Sequence, residues 1–393
     1  MEKVLILGGG GGGAILANLL PKEKFEVTVV DRDEYHVFQP GNLFIAFYGD
    51  SVEKYRRPIR SLLKPHVKLI RDEVTEVNLN DRKVKLKGGE SLEYDYIIIA
   101  TGVNLDFDAI EGNRELLESY GDFYSTLESA DKLHKTLREM REGRFVIAIA
   151  DPIYKCPPGP HKGAFLSSTL FEKLGVGDSI KVVLAVPFPH AYPSKTISDI
   201  IEPELERRNI EVHTFFTVDS IDVEKRRIYS LEGEELEYTV ATVIPPHEGP
   251  RYKIEPSDVK DESNYLKIDK YTCLIEEFDD AYAIGDCTNA PTSKSGVTAH
   301  LQAEVVADRL QGFDAKYSGR TNCPLITDGM GLFIISDYDH PPIPVRLSRF
   351  KRLLEDLFVA TYWDAIRYPE LWQPIFHAYF EATSPAKLGE RGW

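Results

Sequence analysis

Positions 8 to 13 are six consecutive glycines, placed directly after the apolar run at residues 4 to 7 and directly before a second apolar stretch at residues 14 to 20. Glycine has no Cβ and adopts turn conformations that other residues avoid, so a buried strand, a tight loop and a helix follow from this order. A β-branched run at residues 26 to 30 ends at Asp31, 23 positions after Gly8, which completes a strand-helix-strand unit with an acid at the expected distance. Within the run, Gly8-x-Gly10-x-x-Gly13 gives what a pyrophosphate needs: close backbone approach, amides at a helix amino terminus and tight helix-strand packing. Asp31 would hold the ribose hydroxyls of a dinucleotide. A flexible turn in a phosphate-free sheet would not need the strand, the helix and the acid together.

The chain has 393 residues, enough for two or three domains, and its 42% hydrophobic and 28% charged content is that of ordinary globular proteins. A formal charge of -16 argues against a nucleic-acid partner, because a polyanion would be repelled. Four cysteines are too few for a disulfide framework and lack metal-ligand spacing, so no metal site is indicated. No run of 18 apolar residues suggests a transmembrane helix, and the amino terminus carries no signal-peptide pattern. Short strands are expected across residues 66 to 99, and a second α/β segment opens with a buried strand at 144 to 150. Further strands are expected near 180 to 186, 209 to 216 and 240 to 244, with helical patterns at 127 to 141 and 297 to 310. The predicted fold is α/β, with two Rossmann-like, doubly wound domains.

Two later turns carry a resemblance. Ala100-Thr101-Gly102 and Ala283-Ile284-Gly285-Asp286 resemble the signature turns of flavoproteins built from two dinucleotide-binding domains. That resemblance implies FAD as cofactor, with Asp286 on the ribityl chain and Lys294 and Gly296 at the flavin pyrimidine edge. Pyridine-nucleotide members of that group have a second glycine loop after the strand opening the inserted domain. Here the place reads Asp151-Pro152-Ile153-Tyr154-Lys155-Cys156-Pro157-Pro158-Gly159-Pro160. Proline has no N–H and fixes its own φ, so this turn cannot present a fan of amides to a pyrophosphate. The segment from Lys155 to Pro160 instead is similar to the Cys-Pro turn of sulfide:quinone oxidoreductases and flavocytochrome c sulfide dehydrogenases.

The resemblance implies a redox pair of Cys156 with Cys323, which lies 37 positions after Asp286, assisted by His190; the neighbouring Lys155 and His161 would lower the Cys156 thiol pKa if they face it. Sulfide would be captured as a persulfide beside the flavin. Cys273 and Cys287 read as structural. Several relatives tether FAD through a cysteine before the Cys-Pro turn, but residues 120 to 140 contain none, so the FAD is expected to be non-covalent.

Nine of the 31 residues from 350 to 380 are aromatic. Leu347, Phe350, Leu353, Leu354, Leu357 and Phe358 form an apolar helical stripe among Arg346, Arg349, Lys351 and Arg352. Such a helix either packs on the body or lies in a membrane interface; the resemblance favours the membrane, with a quinone admitted near Phe333, Tyr362 and Trp363. The expected organisation is an FAD domain from residues 1–105 and 263–335, an inserted domain at 106–262 and a membrane and quinone segment at 336–393. The expected partners are sulfide, a membrane quinone and the membrane surface, with the protein peripheral; a homo-oligomer is compatible with the sequence. Rival readings are a type II NADH:quinone oxidoreductase, a non-turnover FAD-binding redox sensor and a flavocytochrome c subunit.

Overall fold

The computed structural model describes residues 1–342 and 346–383; the remainder of the expected membrane segment, Trp393 included, lies outside the described residues. Two wholly parallel sheets organise the chain. The first has the order Ala281–Ala283, Tyr96–Ile99, Glu2–Leu7, Phe25–Asp31 and Lys68–Arg71. Ile6, Leu7, Ile97, Ile98 and Ile99 have no exposed surface, because helices and loops cover both faces of a parallel sheet. This explains why these strands read as continuous apolar runs rather than alternations. Three neighbouring strands, ending at Leu7, Ile99 and Ala283, run directly into the glycine loop, the 100–102 turn and the Gly285-Asp286 turn. All three signature loops therefore gather beyond the carboxyl ends of adjacent strands, where open α/β sheets bind ligands.

The second sheet has the order Glu211–His213, Ile180–Ala185, Gly143–Ile149 and Val240–Ile244. Its opening strand leads into the proline-rich turn, and the helix Gly159–Lys173 follows at once. That helix is buried from Gly159 to Phe171, with His161 and Lys162 enclosed. Such burial needs close approach: a Cβ on Gly163 would lie 2.8 Å from the Phe123 ring.

The carboxy-terminal part begins as an antiparallel hairpin, Thr321–Ile326 with Gly331–Ser336. Ser348 then caps the helix Arg349–Arg367, its Oγ accepting the Lys351 N–H at 3.2 Å, while Ser348 and Gly331 exchange backbone hydrogen bonds of 2.9 and 3.0 Å. Asn18 Nδ2 donates to Leu62 O and Ile366 O at 2.8 Å each, fixing this helix to the helix of the glycine loop, Gly11–Leu19. The expected apolar stripe divides. Leu347 and Phe358 pack on the core, while Phe350, Leu353 and Leu357 stay exposed. Each large apolar side chain left in water forgoes about 1.5–3 kcal/mol of burial. Leu371 and Ile375, on the final helix Pro369–Thr383, are exposed as well. Among the described residues no helix is long and apolar enough to cross a membrane.

Candidate functional site

The three pattern glycines of the first loop serve three different ends. Gly8 adopts φ +103°, and a Cβ there would lie 2.4 Å from Ala100 O. A Cβ on Gly13 would lie 2.0 Å from Gly8 O, so only glycine allows helix and strand to pack this closely. A Cβ on Gly10 would point into open space. Asp31 sits beneath the loop rather than apart from it: Oδ2 accepts the Gly9 N–H at 2.6 Å and Oδ1 the Asp33 N–H at 2.8 Å. Burial raises its pKa while those amides oppose the rise.

At the neighbouring strand ends, Gly102 takes φ +68° and Gly285 φ +74°, with the Gly285 N–H donating to Gln302 Oε1 at 2.7 Å. Ala100 precedes that turn half-buried, and Thr101 Oγ1 lies 3.4 Å from Tyr252 OH. Asp286 Oδ1 is enclosed and has no hydrogen-bond partner. Burial pushes this carboxyl up, against the pull of Lys294 and Lys155. A buried acceptor without a donor is costly, and a ligand hydroxyl is the kind of group that would satisfy it. Lys294 is no solvated loop lysine: Nζ donates to Asp286 O and Thr288 O at 2.9 Å each and lies 3.6 Å from the centre of the Tyr265 ring. Gly296 opens the helix Gly296–Leu310, and a Cβ there would meet only open space. The glycine cradle, the orphaned Asp286 oxygen and this accessible helix start fit a dinucleotide of the FAD type.

The cysteine turn is joined to the same loops. Cys156 adopts φ +52°, a left-handed conformation that costs a non-glycine residue about 1–2 kcal/mol. Its N–H donates to Lys294 O at 2.8 Å, and its carbonyl accepts Gly159 N–H at 2.7 Å and Tyr124 OH at 3.0 Å. Cys323 is buried in the hairpin, with Ser293 Oγ and Thr321 Oγ1 each 3.4 Å from its sulfur. Adjacent residues of one loop, Ser293 and Lys294, therefore contact the two expected cysteines. Both thiols are free. Burial raises the Cys156 pKa; Lys162 and then Lys155 counter this, while Cys323 and Glu355 add to it. Lys155 itself is lowered by burial, with Asp286, Asp122 and Cys156 holding it up.

Several participants escaped the sequence reading. Lys162, one turn into the helix after the cysteine, joins Lys155 in opposing the rise of the Cys156 pKa; its spacing from Cys156 was the available signal. Glu355 comes from the carboxy-terminal helix and had no local signal. His190 stands half-exposed in its loop, whereas His161 is fully buried, its Nε2 2.5 Å from Ala191 O and its pKa lowered by burial to about 4. Cys273 and Cys287 are buried, the latter with Sγ 3.4 Å from Ile99 O. Phe333 pairs across the hairpin with Pro324, beside Cys323. Tyr362 lies by the glycine loop, its OH 2.7 Å from His36 Nε2 and its ring 4.3 Å from Phe38, while His36 Nδ1 lies 3.0 Å from Gly9 O. Trp363 completes that cluster, edge-on to His36 and beneath the Arg57 guanidinium.

Fold and site together define a flavoprotein-type oxidoreductase architecture: two Rossmann-like sheets with the signature loops of one facing a cysteine turn of the other. Residues 2–148 match the family model described as pyridine nucleotide-disulphide oxidoreductase. The resemblance to sulfide:quinone oxidoreductases is borne out by the relatives. The mitochondrial sulfide:quinone oxidoreductase of Mus musculus is 26% identical over 387 residues, covering 92% of this chain and 85% of that one. The crystal structure of the sulfide:quinone oxidoreductase of Aquifex aeolicus superposes with a TM-score of 0.85 at 18% identity, over 99% of this chain and 96% of that one. NDH2 of Plasmodium falciparum, solved in complex with NADH, shares the fold with a TM-score of 0.70 at 16% identity, over 99% of this chain and all of that one (100%).

Proposed function

We propose that the protein is a flavoprotein oxidoreductase that takes electrons from hydrosulfide at Cys156 and Cys323 and delivers them to a quinone at a membrane surface. The observation that carries this reading is the loop whose Ser293 hydroxyl meets the Cys323 sulfur and whose Lys294 carbonyl holds the Cys156 backbone. It joins two distant cysteines to the Gly285-Asp286 turn. Gly8, Gly10, Gly13 and Asp31 would hold the nucleotide half of FAD; the 100–102 turn, Gly285, Asp286, Lys294 and Gly296 would hold the flavin half, without a covalent thiol. Bound FAD would supply a two-electron acceptor that can pass electrons on to a quinone.

The work of the chain itself is sulfur capture. With Cys156 and Cys323 oxidised to a disulfide, hydrosulfide attacks one sulfur, the S–S bond breaks, and one cysteine becomes a persulfide while the other leaves as a thiolate. Removal of two electrons and the persulfide proton regenerates the pair and releases the captured sulfur at the sulfane level, alone or on a longer polysulfide. A cation beside the leaving sulfur favours its thiolate form, the part assigned to Lys155; His190 is assigned an auxiliary part. Phe350, Leu353 and Leu357 on one helix and Leu371 and Ile375 on the next are exposed apolar side chains, suited to an interfacial helix pair. A quinone seated there would approach by way of Phe333, Tyr362 and Trp363.

The test is anaerobic turnover of the purified, flavin-loaded protein. Sulfide should bleach the flavin, decyl-quinone should restore it, and Cys156→Ser and Cys323→Ser should each abolish the bleaching. Bleaching that survives both substitutions would overturn the reading.

A further inference from the structure

The helix Arg349–Arg367 turns Phe350, Leu353 and Leu357 to solvent and buries a carboxylate elsewhere on its surface. Glu355 Oε1 lies 3.9 Å from Lys162 Nζ, with each side chain only 3% exposed. This is ion-pair distance, too long for a hydrogen bond. Lys162 belongs to the helix that begins just beyond the cysteine turn. Lys162, Cys323, Glu355 and Lys155 act electrostatically on the Cys156 thiol, which in turn acts on Tyr124, Tyr154 and Tyr192. Burial pushes the Glu355 carboxyl up, Lys162 and Arg352 oppose the rise and Asp356 adds to it. A buried carboxylate and a thiolate thus compete for one buried ammonium, in a place where charge is weakly screened.

We propose that Glu355 is a positioning residue for the sulfur chemistry at Cys156: by sharing the Lys162 ammonium with the thiolate, it sets how much of that positive charge the sulfur receives. It does so from the same helix that carries the exposed apolar face, so any shift of that helix against the hairpin changes the share. The proposal rests on the reading of Cys156 as the sulfur-handling thiol.

The experiment uses the full-length, flavin-loaded protein, reduced and desalted without oxygen. Alkylation of Cys156 by iodoacetamide is followed across pH by peptide mass spectrometry. Glu355→Gln is expected to move the midpoint down by about half a unit, alkylating about threefold faster below it. Lys162→Met is expected to move the midpoint up and, in the double variant, to cut the effect of Glu355→Gln to less than half, as coupled sites require. A midpoint unmoved by Glu355→Gln, or an equal shift with and without Lys162, overturns the proposal. Cys273 and Cys287, buried in the core of the first sheet, report folding by staying unlabelled. Should Glu355→Gln label them, Glu355→Asp decides: a smaller downward shift supports the proposal and an unmoved midpoint overturns it. Sulfide bleaching is scored separately on the same samples; its absence from the wild type defeats the sulfide reading and leaves the alkylation result to stand by itself.

Discussion

The two sheets carry opposite loops at equivalent places. After Glu2–Leu7 come six glycines, whose amides and missing side chains make room for something else. After Gly143–Ile149 comes a turn with Pro152, Pro157 and Pro158, which has few amides to offer and instead fixes one side chain, Cys156, in a left-handed backbone conformation. The same sheet architecture thus supports a backbone site in one half and a side-chain site in the other. What separates them is the availability of N–H groups: a glycine loop presents dipoles to a phosphate, whereas a proline turn gives up that capacity and gains rigidity. The shared fold with an NADH-bound protein therefore says little about NADH here.

The contrast breaks most completely at the cysteine. Cys156→Ser is expected to lower the rate of sulfide-driven flavin reduction by about three orders of magnitude or more, since a hydroxyl cannot form the persulfide, with flavin content unchanged; stopped-flow absorbance measures both. Next in size is the glycine loop. Gly13→Ala should cost about 2 kcal/mol or more and release the flavin, because the new Cβ would lie 2.0 Å from Gly8 O. Gly10→Ala, whose Cβ meets nothing within 4 Å, should instead keep the melting temperature of the flavin-free protein and lose only flavin affinity. Equal destabilisation by both would mean that the loop is merely structural.

Much of this was legible beforehand, for a physical reason. Strands buried on both faces, a glycine run and an acid at the next strand end are local patterns, so the sheets and the glycine loop could be read from spacing, while the two later turns were legible only through their resemblance to a known family. Cys156 was conspicuous because a cysteine between lysine and two prolines is a local feature. Lys162 and Glu355 were not, because their meeting depends on how the carboxy-terminal helix rotates. Periodicity identified that helix's apolar stripe but could not say that Glu355 would face inward and Phe350, Leu353 and Leu357 outward. His161 stood out beside the cysteine turn as a candidate to lower the thiol pKa, but nothing local says that it would be buried with its own pKa lowered while His190 is half-exposed.

Two smaller effects sharpen the comparison. Each half buries a neutral histidine: His36 beside Gly9 and His161 beyond the cysteine turn both have pKa values lowered by burial from 6.5 to about 4. The unfolded chain takes up these protons first, so stability is complete above pH 6.5 and falls towards pH 4, by up to about 1.4 kcal/mol per pH unit for each histidine. Thermal melts between those pH values should show the decline, and His161→Gln should make it shallower. The smallest effect concerns the left-handed turn: Cys156→Gly should be more stable than Cys156→Ala by about 1 kcal/mol, as glycine alone avoids the penalty at φ +52°. Equal stability would remove strain from the account of that residue.

The central claim is that the second sheet has a sulfur-handling turn where a nucleotide loop would stand. Its most direct test is to add sulfide and NADH to separate anaerobic samples of the same flavin-loaded protein and follow the visible absorbance. The account predicts rapid bleaching by sulfide and none by NADH on the same timescale; bleaching by NADH with sulfide inert would contradict it.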